Sequence, residues 1–219
     1  MRRAWALILV LACAVLSGAC SAGGVGGQLG PGERPRAWAW DCGQGVTLVT
    51  DFYEGEALWL FAPGYSGRLK QSRTASGIRY EGDGRVFWAK GEEARYEGDG
   101  TVLHCRRDVG RSWFEDAKLR GADFRAVGNE PGWALEIGPD ALFLVTDYGR
   151  TRLEFRVASP EVSQAGRIAV WRAEADGQAL EARVEGRPCQ DSMSGEGYES
   201  TVRLVLNGGV MHGCGQALH

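Results

Sequence analysis

The sequence predicts an all-β protein organised as two small domains, and three observations carry that expectation. From residue 36 onward, short alternating or apolar runs recur at regular spacing, bounded by Gly, Asp and Asn, the pattern of a β-barrel or a β-sandwich. Two of the intervening turns read Gly82-Asp83-Gly84 and Gly98-Asp99-Gly100, each preceded by Tyr-Glu; Asp-Gly suits a tight hairpin whose central residues need positive φ. Residues 108–120 are the one charged, non-alternating stretch in the body of the chain, and the strand pattern stops there before resuming.

In chain order, the runs of the first half are residues 37–42, 46–52, 57–61, 67–71, 78–81, 85–90, 93–96 and 101–105. Alternation of period two turns one face of each run toward a core. The repeated Tyr-Glu-Gly-Asp-Gly reads as two hairpins of the same chemistry and not as an internal repeat. Residues 108–120, containing Ser112-Trp113-Phe114-Glu115-Asp116, read as an interdomain connector with one helical turn. Short strands resume from Phe124 and include 133–137, 141–146, 152–158, 167–174, 179–184 and 201–206. The expected organisation is therefore a domain over 36–107, a linker over 108–120 and a second β domain over 121–219.

Ahead of the body, Arg2 and Arg3 precede an apolar run over residues 4–16, with Ser17, Gly18 and Ala19 just before Cys20. This reads as an export signal over 1–19. The run is too short to cross a bilayer core of roughly 30 Å as a helix, and no later stretch has the length for it. Cysteine after Ser-Gly-Ala resembles the lipobox of bacterial lipoproteins, which implies lipidation of the Cys20 thiol; Leu16 sits one place further upstream than that pattern has it. Cys13 is a weaker competing site. Ser21 beside the cysteine, in place of Asp, resembles the outer-membrane sorting pattern, so the expected location is the outer membrane, facing the periplasm. Residues 20–35 are Gly-rich with two prolines, a composition that cannot bury enough surface to order itself, and read as a flexible tether.

Setting aside Cys13 and Cys20, the body holds Cys42, Cys105, Cys189 and Cys214. Export to an oxidising compartment makes disulfides the expected state, and four cysteines allow three connectivities. No C-x-x-C pair is present and only His104, His212 and His219 are available, which argues against a zinc site. Residues 36–107 carry ten basic and ten acidic side chains, and residues 108–219 carry twelve and seventeen. Neither half is a basic nucleic-acid footprint.

Two motifs sharpen the first domain. Residues 74–80 read Thr-Ala-Ser-Gly-Ile-Arg-Tyr, and residues 86–94 read Val-Phe-Trp-Ala-Lys-Gly-Glu-Glu-Ala. Together they resemble the membrane-bound inhibitors of c-type lysozyme, in which a Ser-Gly-x-x-Tyr loop precedes a Phe/Tyr-Trp-x-Lys-Gly strand and cysteines bracket the domain, here Cys42 and Cys105. The resemblance spans about 70 residues, roughly 38–107. It implies an eight-stranded antiparallel β-barrel whose partner is a host c-type lysozyme, with Ser76 and Lys90 at the positions that enter the lysozyme cleft. Gly77 belongs to the same loop, Arg79 and Tyr80 would line the rim, with Tyr80 reading equally as barrel core, and no cofactor is required.

The chemistry of that pair can be argued without the resemblance. A retaining glycosidase presents two carboxyl groups about 5 Å apart, one protonated and one ionised. A plug for that gap needs a cation for the ionised group and a hydroxyl able to donate to one carboxyl and accept from the other. Lys90 and Ser76 supply both. Taken singly, Ser76 is a turn serine and Lys90 an edge-strand lysine; the paired motifs are what point to function. Trp88 as a surface aromatic would suit sugar stacking, but its alternation with Phe87 makes it an ordinary strand aromatic. Glu92 and Glu93 are adjacent strand residues, so they point to opposite faces and do not flank one bond.

The second domain resembles a group of uncharacterised bacterial envelope proteins through Gly-Asn-Glu-Pro-Gly-Trp at 128–133, Cys-Gln-Asp-Ser-Met-Ser-Gly-Glu-Gly-Tyr at 189–198 and Gly-Cys-Gly at 213–215. Gly132 stands where a bulkier residue is expected. Asp191, Ser194 and Glu130 are its candidate polar site, and Asx and Ser turns satisfying loop amides are the plainer reading. A Ser194/His212/Asp191 triad lacks the strand-to-helix context of a nucleophile elbow. Cys189 and Cys214 read as a local disulfide. The expectation is thus a lipid-anchored, non-enzymatic lysozyme inhibitor. Its rivals are an envelope module binding glycan or protein, and an enzyme centred on Asp191 and Glu130; oligomeric state is left open.

Overall fold

The computed structural model describes residues 34–53, 57–157 and 159–219. The expected export signal, the lipidation candidate Cys20 and the tether as far as residue 33 lie outside the described residues.

The first domain is a closed barrel in strictly sequential order. Its strands are β1 (Ala37–Asp41), β2 (Thr47–Tyr53), β3 (Ala57–Ala62), β4 (Tyr65–Ser72), β5 (Ile78–Gly82), β6 (Arg85–Lys90), β7 (Glu93–Gly98) and β8 (Thr101–Asp108). Alternation turns Trp40, Leu48, Leu58, Leu60, Leu69 and Phe87 inward, all buried, and each such side chain contributes on the order of 1.5–3 kcal/mol of burial. The expected hairpins are present: Asp83 and Gly84 (φ 50° and 72°) and Asp99 and Gly100 (φ 51° and 75°) take the left-handed conformation, as a two-residue turn matched to strand twist requires. A disulfide from Cys42 to Cys105, 63 residues apart, clamps the end of β1 to β8.

Closure between β8 and β1 is brief, running only from Ala39 opposite Asp108 to Asp41 opposite Arg106. Helix α1 (Val109–Leu119) completes the seam. The backbone N–H groups of Arg36 and Ala37 donate to Asp116 Oδ1 at 2.8 and 3.1 Å, and that of Ala39 to Ser112 Oγ at 2.9 Å. Without those acceptors, buried β1 donors would go unpaired, at about 1–3 kcal/mol each. Asp108 caps the helix by accepting from the Arg111 N–H at 2.9 Å, a standard N-cap role. The linker is therefore a three-turn helix and not the single turn expected. Its buried face includes Ser112 and Asp116 beside Phe114 and Ala117, so it shows no clean apolar stripe in the sequence.

The second domain is a curled antiparallel sheet. Its members are β9 (Phe124–Asn129), β10 (Gly132–Ile137), β11 (Ala141–Thr146), β12 (Thr151–Arg156), β13 (Glu161–Ser163), β14 (Ile168–Ala175), β15 (Gln178–Glu185), β18 (Ser200–Leu206) and β19 (Gly209–Ala217). They lie in the order β12-β11-β10-β9-β19-β18-β15-β14-β13, with a small ribbon of β16 (Cys189–Gln190) and β17 (Gly197–Tyr198) to one side. Leu135, Leu142, Leu144, Phe155, Val202 and Leu204 fill the concave face. The last strand, β19, is rich in glycine, and packing explains this at Gly213, where a Cβ would stand 2.1 Å from the Val127 carbonyl oxygen of the neighbouring strand. The second disulfide, Cys189–Cys214, ties the ribbon to β19.

A buried ionic chain joins the two domains. Asp116, which holds the start of β1, accepts from Arg120 Nε at 2.9 Å. Arg120 then grips Glu136 of β10 through both terminal nitrogens at 2.8 and 2.9 Å, and Arg125 of β9 reaches the same carboxylate. Glu136 and Arg125 are only 1% and 4% exposed. Burial pulls the Arg125 guanidinium down from its ordinary value while Glu136 opposes that shift.

Candidate functional site

The site is assembled by two turns at one end of the barrel. Strands β5 and β6 pair with Ile78 opposite Ala89 and Arg79 opposite Trp88, so the loop of residues 73–77 entering β5 meets the end of β6. Strand β6 leaves through a tight turn that pairs Lys90 with Glu93. The paired motifs of the sequence, fourteen residues apart in chain from Ser76 to Lys90, are thus neighbours in space.

Gly77 makes that approach possible. Its φ is +72°, and a Cβ there would lie 2.2 Å from the Ala89 carbonyl oxygen and 3.2 Å from Lys90 Cβ. Only glycine allows the loop to lie this close to the end of β6. The Ser76 carbonyl accepts from Trp88 Nε1 at 2.9 Å and from Thr74 Oγ1 at 3.1 Å. These bonds leave the Ser76 hydroxyl itself uncommitted among the described residues. Ser76 and Lys90 are both exposed, and Lys90 forms no ion pair among the described residues.

The turn beyond Lys90 is held by its own clamp. Glu92 accepts from Arg107 Nε at 2.9 Å and from a second Arg107 nitrogen, and the Glu92 carbonyl accepts from the Arg107 N–H at 2.8 Å. Arg107 in turn lies over the Trp38 ring, 4.2 Å from its centroid. Glu92 is thereby committed to architecture.

The other expected rim residues divide. Arg79 is half-buried and forms an ion pair with Glu81 at 2.6 Å, so its charge is already partnered. Tyr80, readable as rim or as core, belongs to the core and not to the rim: it is 6% exposed and packs edge-on against Phe52. Tyr80 stands directly opposite fully buried Phe87 in the β5–β6 pairing, so the two side chains share the core face, and burial raises the Tyr80 phenol above the ordinary value. Ile78, 37% exposed beside Gly77, is a rim residue that sequence reasoning missed. Trp88 lies on the outer face while Phe87 is fully buried, as alternation requires, yet its indole is bound to the Ser76 loop, which spacing alone could not show.

The polar cluster of the second domain is a self-satisfied turn. Asp191 Oδ1 accepts from the N–H groups of Met193 and Ser194 at 2.9 and 2.7 Å and from Ser194 Oγ at 3.0 Å. Its other oxygen accepts from Asn129 Nδ2 at 2.7 Å. Led by the Ser194 backbone N–H, these donors hold the Asp191 carboxyl below its ordinary value against the opposing effect of burial. His212 pairs with Arg203 across β18 and β19, and Ser194 Oγ is engaged with Asp191 and with the Glu196 N–H at 3.2 Å. Among the described residues no group of three His, Cys, Asp or Glu side chains is placed to hold a metal.

A disulfide-closed antiparallel barrel with a braced polar loop at one rim defines a small β-barrel domain suited to binding. Within that class, residues 40–103 match the family described as membrane-bound lysozyme-inhibitor of c-type lysozyme. The matched segment lies within the barrel, from late in β1 to the first part of β8, and contains both Ser76 and Lys90. By that description the family's members inhibit c-type lysozyme and are membrane-bound, and the likeness of this domain to them points to a lysozyme-inhibitor role. Among the described residues no helix is long and apolar enough to cross a membrane. No curated protein and no solved structure matches the chain.

Proposed function

We propose that the barrel inhibits a c-type lysozyme by filling its catalytic cleft with Ser76 and Lys90, so that peptidoglycan cannot reach the catalytic carboxyls. The observation that carries this reading is the nearness of the loop bearing Ser76 to the β6 end bearing Lys90, with the hydroxyl and the ammonium both exposed and without a side-chain partner among the described residues. Lys90 supplies the charge for the ionised carboxyl, and Ser76 Oγ both donates and accepts. Desolvation offsets much of the Coulomb gain, leaving a net coupling of a few kcal/mol. Arg79, already neutralised by Glu81, contributes at most a rim contact, and Gly77 acts by permitting the approach of the loop. The test is a lysozyme lysis assay with soluble protein beginning at Arg36. Ser76→Ala and Lys90→Ala should each raise the half-inhibitory concentration by at least about tenfold. Full inhibition by the double variant would refute the assignment.

We further propose that Cys20 carries a lipid anchor that holds the protein at the outer membrane, facing the periplasm. The protein should partition with outer-membrane vesicles, and Cys20→Ser should release it to the soluble fraction. Continued membrane retention of that variant would exclude the anchor.

A further inference from the structure

We infer that Trp88 is a positioning residue for inhibition: its indole N–H holds the Ser76 carbonyl, and through it sets where the Ser76 hydroxyl stands relative to Lys90. The inference rests on the cleft-filling reading and adds to it the group that organises the pair.

Three observations support it. The bond from Trp88 Nε1 to Ser76 O is 2.9 Å long and bridges β6 to a loop with no strand pairing of its own. Trp88 and Lys90 are two residues apart on β6, so both leave the same outer face of one rigid strand. One of them supplies the cation for the ionised acid, and the other reaches across to fix the alcohol. Strand β6 therefore sets the spacing of both functional groups. The same carbonyl also accepts from Thr74 Oγ1 at 3.1 Å, so its acceptor capacity is used by two donors that act on the backbone and leave the hydroxyl free. A loop held in its bound geometry before encounter loses less conformational freedom on binding.

An indole exposed at this face has two other uses: direct contact with the partner, or support of the barrel. A double-mutant cycle separates them, because a residue that acts through Ser76 loses its effect when the hydroxyl is gone. Inhibition constants are to be measured for the purified protein and for its Ser76→Ala, Trp88→Phe and doubly substituted variants, with thermal midpoints in parallel. Phenylalanine retains an aromatic ring and removes the donor. With Ser76 intact, Trp88→Phe should weaken inhibition by about 3- to 10-fold, the range of one net hydrogen bond. In the Ser76→Ala background the same change should have less than about a twofold effect. Thr74→Val, carried through the same cycle, removes the second donor from an exposed loop residue and should show coupling of the same sign if Trp88→Phe fails to fold.

Equal losses in both backgrounds would assign Trp88 to direct contact or general support, and no loss with Ser76 intact would deny it any part; either result overturns the inference while leaving the Ser76 and Lys90 reading intact. If Ser76→Ala itself has no effect, the cleft-filling reading falls first and the positioning role falls with it.

Discussion

Replacing Gly77 by alanine should damage both the barrel and its inhibitory activity, and the size of the effect can be worked from two contributions. A left-handed backbone costs a non-glycine residue about 1–2 kcal/mol. The new Cβ would stand 2.2 Å from the Ala89 carbonyl oxygen, where ordinary contact begins near 3.4 Å, so loop or strand must yield by roughly 1 Å, or the overpacking costs about 1–3 kcal/mol. The expected loss is thus about 2–5 kcal/mol if the loop stays in place. If the loop yields instead, the strain is relieved by carrying Ser76 away from Lys90, and inhibition suffers more than stability. Gly100→Ala is the control, because Gly100 has φ +75° with nothing within 4 Å of its would-be Cβ and lies in the β7–β8 turn at the opposite end of the barrel. It should lose about 1–2 kcal/mol and inhibit normally. Urea unfolding followed by circular dichroism, with the lysis assay on the same preparations, reads both quantities. Gly77→Ala indistinguishable from Gly100→Ala in both assays would refute the reasoning.

Glu136→Gln should destabilise the protein by about 3–5 kcal/mol, because it leaves the buried Arg125 guanidinium without its counter-charge and leaves Arg120 with Asp116 alone; an unchanged urea midpoint would show that the ionic chain carries no stability. Under conditions where that variant stays folded, inhibition should be retained, since the rim residues are distant from β10 in the fold. Asp191 predicts a pH dependence: its folded-state value is depressed, so the unfolded chain takes up the proton first as pH falls. Its contribution is complete above the ordinary carboxylate value of about 4 and is lost as pH drops through the lower folded value. The stability gap between the native protein and Asp191→Asn should therefore shrink on acidification from about pH 6, and a gap constant across that range would contradict the assignment.

The β architecture was legible from residue 36 onward because alternation and turn chemistry are local properties. Phe87 inward and Trp88 outward follows from a period of two, and the left-handed Asp-Gly turns follow from residues that tolerate that conformation. The bracket of Cys42 and Cys105 came with the family resemblance, and the structure bears it out, as it does the local pairing of Cys189 with Cys214. Helix α1 was not legible to its full length, because Ser112 and Asp116 are buried to serve β1 backbone donors and therefore look like surface residues. Strand β19 was masked by glycines whose reason is the nearness of β9. Tyr80 could be read as rim or core in the sequence, and its pairing opposite Phe87 places it in the core.

Chain order alone thus settled which segments become strands and where they turn, since each depends on neighbours within a few residues. The approach of the Ser76 loop to the end of β6 that bears Lys90, the bond from Trp88 to the Ser76 loop and the ionic chain from Asp116 to Glu136 were settled by folding. Each arises where strand pairing or helix docking brings distant segments together, and the energies involved are those of desolvated hydrogen bonds and charges whose partners do not exist until the chain has closed.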